Sequence, residues 1–70
     1  MDRKPVNSEK IKAVGYDERA RLLEVEFRDG SVKQYANVSR EIQRKLMSAS
    51  SIGSFFTDHI EEEFTAKRIR

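Results

Sequence analysis

The residues of this 70-residue chain with the chemistry to hold a partner are two tyrosines and a scatter of cations: Tyr16, Tyr35, Lys12, Lys33, Arg40, Arg44 and Lys45. Aromatic rings stack on exposed nucleic-acid bases for about 1–3 kcal/mol each, and ammonium and guanidinium groups meet phosphates. Catalytic chemistry finds less material. The single histidine, His59, stands beside an apolar stripe between Phe56 and Ile60, the usual setting of a structural imidazole. Glu61-Glu62-Glu63 holds three carboxylates, but successive helix positions point in different directions. They read as a solvated face. Gly53-Ser54-Phe55 opens a helical stretch whose amides can face an anion, yet a lone glycine there reads first as a break between helices. There are no cysteines, which excludes disulfides, zinc ribbons and thiol catalysis. No metal set or cofactor motif stands out, so a non-catalytic protein without a cofactor is expected.

The elements that must position these side chains follow from periodicity. Leu22–Arg28 alternates: Leu23, Val25 and Phe27 share one side, Glu24 and Glu26 the other. Asp29-Gly30 follows, a strong hairpin signal, and Ser31–Ala36 is the returning strand. A two-residue turn pairs Phe27 with Val32, Glu26 with Lys33 and Glu24 with Tyr35. Lys10–Tyr16 is the preceding strand, joined through Asp17–Arg21. A five-residue loop there pairs Ile11 with Phe27, Ala13 with Val25 and Gly15 with Leu23. The expected core face is then Ile11, Ala13, Gly15, Leu23, Val25, Phe27 and Val32. The opposite face carries Lys10, Lys12, Val14, Tyr16, Leu22, Glu24, Glu26, Arg28, Lys33 and Tyr35.

Two helical patterns come after. Ser39 is suited to cap the first, and Ile42, Leu46 and Ala49 form its apolar stripe while Arg40, Gln43, Arg44 and Lys45 point away. The second begins near Ser51 or Ser54 and carries Ile52, Phe56, Ile60 and Phe64 at spacing four. The fold expected is α+β: a three-stranded antiparallel meander followed by two helices packed on one sheet face. Residues 1–7 and 67–70 read as flexible ends of a single domain.

Two functions compete. The outer sheet face, with Tyr16, Tyr35, Lys12 and Lys33, fits single-stranded RNA, and Arg40, Arg44 and Lys45 form a second basic patch. Against this, Glu24 and Glu26 can neutralise Lys12 and Lys33 by cross-strand pairing. Val14, Tyr16, Leu22 and Tyr35 can instead be covered by a second subunit, making a protein-interaction module or homodimer. The charge balance, 14 basic against 12 acidic residues, decides nothing by itself. No apolar run approaches the length of a membrane span and no signal-peptide core follows Met1, so a cytoplasmic protein without membrane contact is expected.

The spacing of several residues resembles the KTSC domain family over about residues 8–64. The resemblance is carried by Val14-Gly15-Tyr16-Asp17, Leu23-x-Val25-x-Phe27-x-x-Gly30, Tyr35-x-x-Val38, Ser51-x-Gly53-x-Phe55-Phe56, Ile60 and Phe64. Where that family usually has Tyr-x-Tyr, this chain has Lys33 and Tyr35; Ser39 stands at a frequent proline and Thr57 at a frequent asparagine. The family occurs at the C-terminus of some lysyl-tRNA synthetases and as stand-alone bacterial proteins. The resemblance implies a small accessory module of the second kind, with RNA as the suggested partner.

Overall fold

The computed structural model describes residues 2–70. Five strands form one antiparallel sheet in sequence order: β1 (Arg3–Pro5), β2 (Ile11–Asp17), β3 (Leu22–Phe27), β4 (Val32–Tyr35) and β5 (Ala66–Arg68). Between β4 and β5 come α1 (Arg40–Ser48) and α2 (Ile52–Phe56), the latter continued by a π-helical turn, Thr57–Glu61. The expected meander and helix pair are therefore present, and each end of the chain adds an edge strand. β1, and β5 from Lys67 on, lie in the stretches that read from sequence as loose.

The caps explain where the helices start. Ser39 Oγ accepts from the Ile42 amide at 3.2 Å, and Ser51 Oγ accepts from the Ser54 amide at 3.4 Å. The second helix ends sooner than its spacing predicts. After Glu61 the chain turns into β5, Thr65 O accepts from the Ala36 amide at 3.2 Å, and Phe64 packs beyond the helix against the core.

Two local irregularities correct the expected register. At the β3–β4 connection the loop is three residues, Arg28-Asp29-Gly30, not two. The Phe27 amide donates to Ser31 O at 2.9 Å, and Gly30 takes a left-handed φ of 92°. Leu23 then pairs with Tyr35, Val25 with Lys33 and Glu26 with Val32. A one-residue slip sends every side chain of the strand to the other face. Between Ile11 and Ala13 a bulge does the same to β2: Ile11 still faces Phe27, but Val14 pairs with Val25 and Tyr16 with Leu23.

Both slips act in one direction. They turn Val14, Tyr16, Lys33 and Tyr35 toward the helices and move Ala13, Gly15 and Val32 to the far side. The core is Ile11, Val14, Leu23, Val25, Tyr35, Val38, Leu46, Phe56 and Ile60, with Tyr16, Phe27, Ile42 and Phe55 packed against it. Phe56 meets Phe27 and Tyr35 edge-on, with ring centroids 5.6 and 5.3 Å away. On the helix-free face Glu24 and Glu26 form the centre of an ion-pair cluster. Arg3 Nε lies 3.3 Å from Glu24, and Arg70 Nη2 and Lys12 Nζ lie 3.0 and 3.9 Å from Glu26. No helix is long and apolar enough to cross a membrane among the described residues.

Candidate nucleic-acid interface

The seven residues singled out for a partner do not gather on one surface. Tyr35 is 1% exposed, inside the core, and burial raises its phenol pKa to about 12, with the Glu61 carboxylate a smaller cause. No base can stack on it. Lys33 is half-buried on the helix side of the sheet, with its Nζ 5.8 Å from the centre of the Phe27 ring. Lys12 is on the opposite face, beside Glu26. The stacking surface expected on the outer sheet face is therefore absent, because two register shifts turned its rings inward. Of the four apolar residues expected there for a homodimer, Val14 and Tyr35 are buried and Tyr16 packs on the core, while Leu22 stays half-buried on the helix-free face.

The remaining four come together with one unexpected partner. An open groove of about 1110 Å³ runs between the β1 edge and α1, and Tyr16, Arg40, Arg44 and Lys45 line it together with Lys4. Tyr16 forms part of its floor, its hydroxyl donating to Val38 O at 2.6 Å. That bond ties β2 to the segment leading into α1. Arg40, at the start of α1, pairs with Glu18 at 2.9 Å, where both side chains are well exposed. Such a pair contributes little and exchanges readily with solvent or another anion.

Lys4, Arg44 and Lys45 make no ion pair among the described residues. Glu41 stands one turn before Lys45, but the two carry no ion pair either. The groove also holds Asp2, Glu18 and Glu41, so its cations outnumber its carboxylates only slightly. Two further exposed cations, Arg19 and Arg21, stand in the β2–β3 loop. That loop is pinned beside the groove by the Val38 amide donating to Arg21 O at 3.0 Å.

Lys4 escaped the sequence reading because three residues of edge strand are too short to show periodicity. Once β1 pairs with β2, Lys4 stands opposite Val14, on the helix side. A second depression, of about 350 Å³, lies on the other flank of α1, walled by Ile42, Lys45, Phe55, His59, Glu63 and Phe64. His59 is exposed and leans on the Phe55 ring, with centroids 4.7 Å apart.

This combination, an antiparallel sheet covered on one face by two short helices, defines a small α+β domain of a known kind. The chain belongs to the KTSC domain family, whose sequence pattern matches residues 7–64. The crystal structure of a KTSC domain protein from Yersinia pestis superposes with a TM-score of 0.95 at 38% identity, covering 99% of this chain and 97% of that one. A protein of Stutzerimonas stutzeri, described as uncharacterized, is 36% identical over 56 residues, 80% of this chain and 79% of its own. A protein of Tsukamurella paurometabola is 34% identical over 62 residues, 89% of this chain and 92% of its own.

Proposed function

We propose that this KTSC domain is a non-catalytic accessory module that binds RNA through the α1–β1 groove. The observation that carries the reading is the gathering of Lys4, Arg40, Arg44 and Lys45 along one open groove, three of them without a carboxylate partner. Phosphate contact supplies affinity without reading sequence, which suits an auxiliary domain. The occurrence of related domains on lysyl-tRNA synthetases agrees with an RNA partner. The sheet's helix-free face is a poorer candidate, since Glu24 and Glu26 already hold its nearest cations.

The test is a titration of single-stranded RNA and tRNA, followed by amide chemical shifts at two salt concentrations. Shifts should cluster at Lys4, Arg40, Arg44 and Lys45. With about four phosphates engaged, log K should fall against log salt with a slope near −3. Arg44→Ala should weaken binding to every RNA alike and reduce that slope by about 0.7, one phosphate's worth. Lys12→Ala and Lys33→Ala should leave both unchanged. Absence of any shift at low salt, or shifts confined to the helix-free face, would overturn the reading.

A further inference from the structure

The depression on the second flank of α1 extends this reading and rests on it. We infer that the pocket formed by Ile42, Phe55, His59 and Phe64 receives one unstacked base of the single-stranded RNA whose phosphates lie along α1. Its volume, about 350 Å³, is at the small end of ligand sites. That is room for about one ring system. The Phe55 and His59 rings, one helical turn apart, stand 38° from parallel with centroids 4.7 Å apart. Phe55, Phe64 and Ile42 are each only half-buried, so the pocket keeps an open apolar wall beside an exposed imidazole. Stacking on such a wall tolerates any base, because every base has a π face.

Lys45 ties the pocket to the groove. It lines both, and among the described residues it pairs with no carboxylate. A nucleotide joins a ring to a phosphate, and here an aromatic wall and an unpaired ammonium stand side by side. Glu63 sets the polarity of the bound group. Its carboxylate repels a phosphate but accepts from the exocyclic amine of a base. The base therefore enters toward Phe55 and Glu63, and its phosphate stays on the Lys45 side. The π-helical turn Thr57–Glu61 presents His59 at this wall, and such widened turns recur at functional sites.

The test compares two ligands by fluorescence anisotropy: an oligocytidylate of about ten nucleotides, within the footprint of a small module, and an abasic phosphodiester of equal length. Wild type should bind the oligocytidylate about tenfold tighter, the scale of one stacked base. Phe55→Leu keeps the pocket apolar and the domain folded, which circular dichroism verifies, while removing the ring. It and His59→Ala, at an exposed position, should each erase most of the tenfold preference without altering the salt slope. Arg44→Ala should weaken both ligands equally. Equal affinity of wild type for the two ligands, with the slope still near −3, would overturn the base pocket and leave the α1 surface standing. Binding of neither at low salt would overturn both. Sedimentation showing a dimer that Phe55→Lys dissociates would assign the pocket to a second copy of the chain and overturn the inference.

Discussion

Tyr35 and Phe56 are the two residues on which the packing of this domain converges. Phe56 is fully buried and touches rings on both sides, from β3 and from β4. Truncating it leaves a cavity that a domain of this size cannot collapse around. Phe56→Ala should cost about 3–5 kcal/mol, most of a small domain's stability. A melting temperature within a couple of degrees of wild type would show that the ring is not central. Tyr35 supplies a pH signature. Its phenol ionises near 10 in an unfolded chain and near 12 here, because burial, and then the Glu61 charge, disfavour the phenolate. The folded state thus holds its proton more tightly. Tyr35 adds no pH dependence below about 10, and stability is lost as pH rises from there through about 12. Ultraviolet titration of the Tyr16→Phe protein, which leaves Tyr35 as the only phenol, should place the folded midpoint near 12. A midpoint near 10 would mean the ring is open to water.

Among the elements, the β3–β4 hairpin has the largest consequences. Its Asp29 carboxylate accepts from the Ser31 hydroxyl at 2.6 Å and the Ser31 amide at 2.9 Å, bonds that hold its pKa below the ordinary carboxylate value. The contribution of that turn is present above the usual carboxylate range and fades as pH falls through the lowered pKa. Gly30 then takes the left-handed position. A Cβ there would meet nothing within 4 Å, so the cost of Gly30→Ala is backbone strain alone, about 1–2 kcal/mol. Gly30→Asn should cost less, since asparagine tolerates that region. Equal denaturant midpoints for Gly30→Ala and wild type would mean the loop adopts another form in solution. At α1 the single cap is Ser39, and Ser39→Ala should cost about 1 kcal/mol in the same assay. If α1 binds RNA as proposed, fraying its first turn should also lower RNA affinity through Arg40 and Arg44.

For the molecule as a whole, the sheet is strongest at its centre and guarded at its rims. β3 is bonded on both sides, whereas β1 and β5 are three-residue edges carrying Pro5 and the cations Arg3, Lys4, Lys67 and Arg68. Short edges with proline and charge discourage pairing with another chain. Native-state hydrogen exchange should find the β3 amides slowest and those of β1 and β5 fastest. Edge amides as protected as β3 would show that the sheet opens only as one unit. In the proposed function the rims also take part, because β1 brings Lys4 to the groove. Deleting residues 2–5 should therefore reduce RNA affinity and lower the salt slope by about 0.7, one phosphate.

How much of this was legible in the sequence varied with the range of the physics involved. Local signals reported local facts. Alternation marked β2 and β3, the Asp29-Gly30 turn marked β4, the Ser39 hydroxyl marked the first helix start and Ser51 or Ser54 the second, and the spacing of Phe56 and Ile60 marked a buried stripe. The motif order from Val14 to Phe64 pointed to the family on its own. The faces of the sheet were different. Asp-Gly also fits a three-residue loop that ends on a left-handed glycine, and no residue between Ile11 and Ala13 announces a bulge. Both choices depend on which side chains the helices can cover. Tyr16 and Tyr35 fill the space under α1 and α2 in a way that Ala13, Gly15 and Val32 cannot, so packing against the helices selects the slipped register. The edge strands were invisible for a related reason: three residues have too little periodicity, and they form only because β2 and β4 offer unpaired backbone. Seven residues with binding chemistry were thus nameable from their types, and Lys4 was not. Which of them meet was decided by tertiary packing, since a single residue of slip exchanges the core of a sheet for its surface.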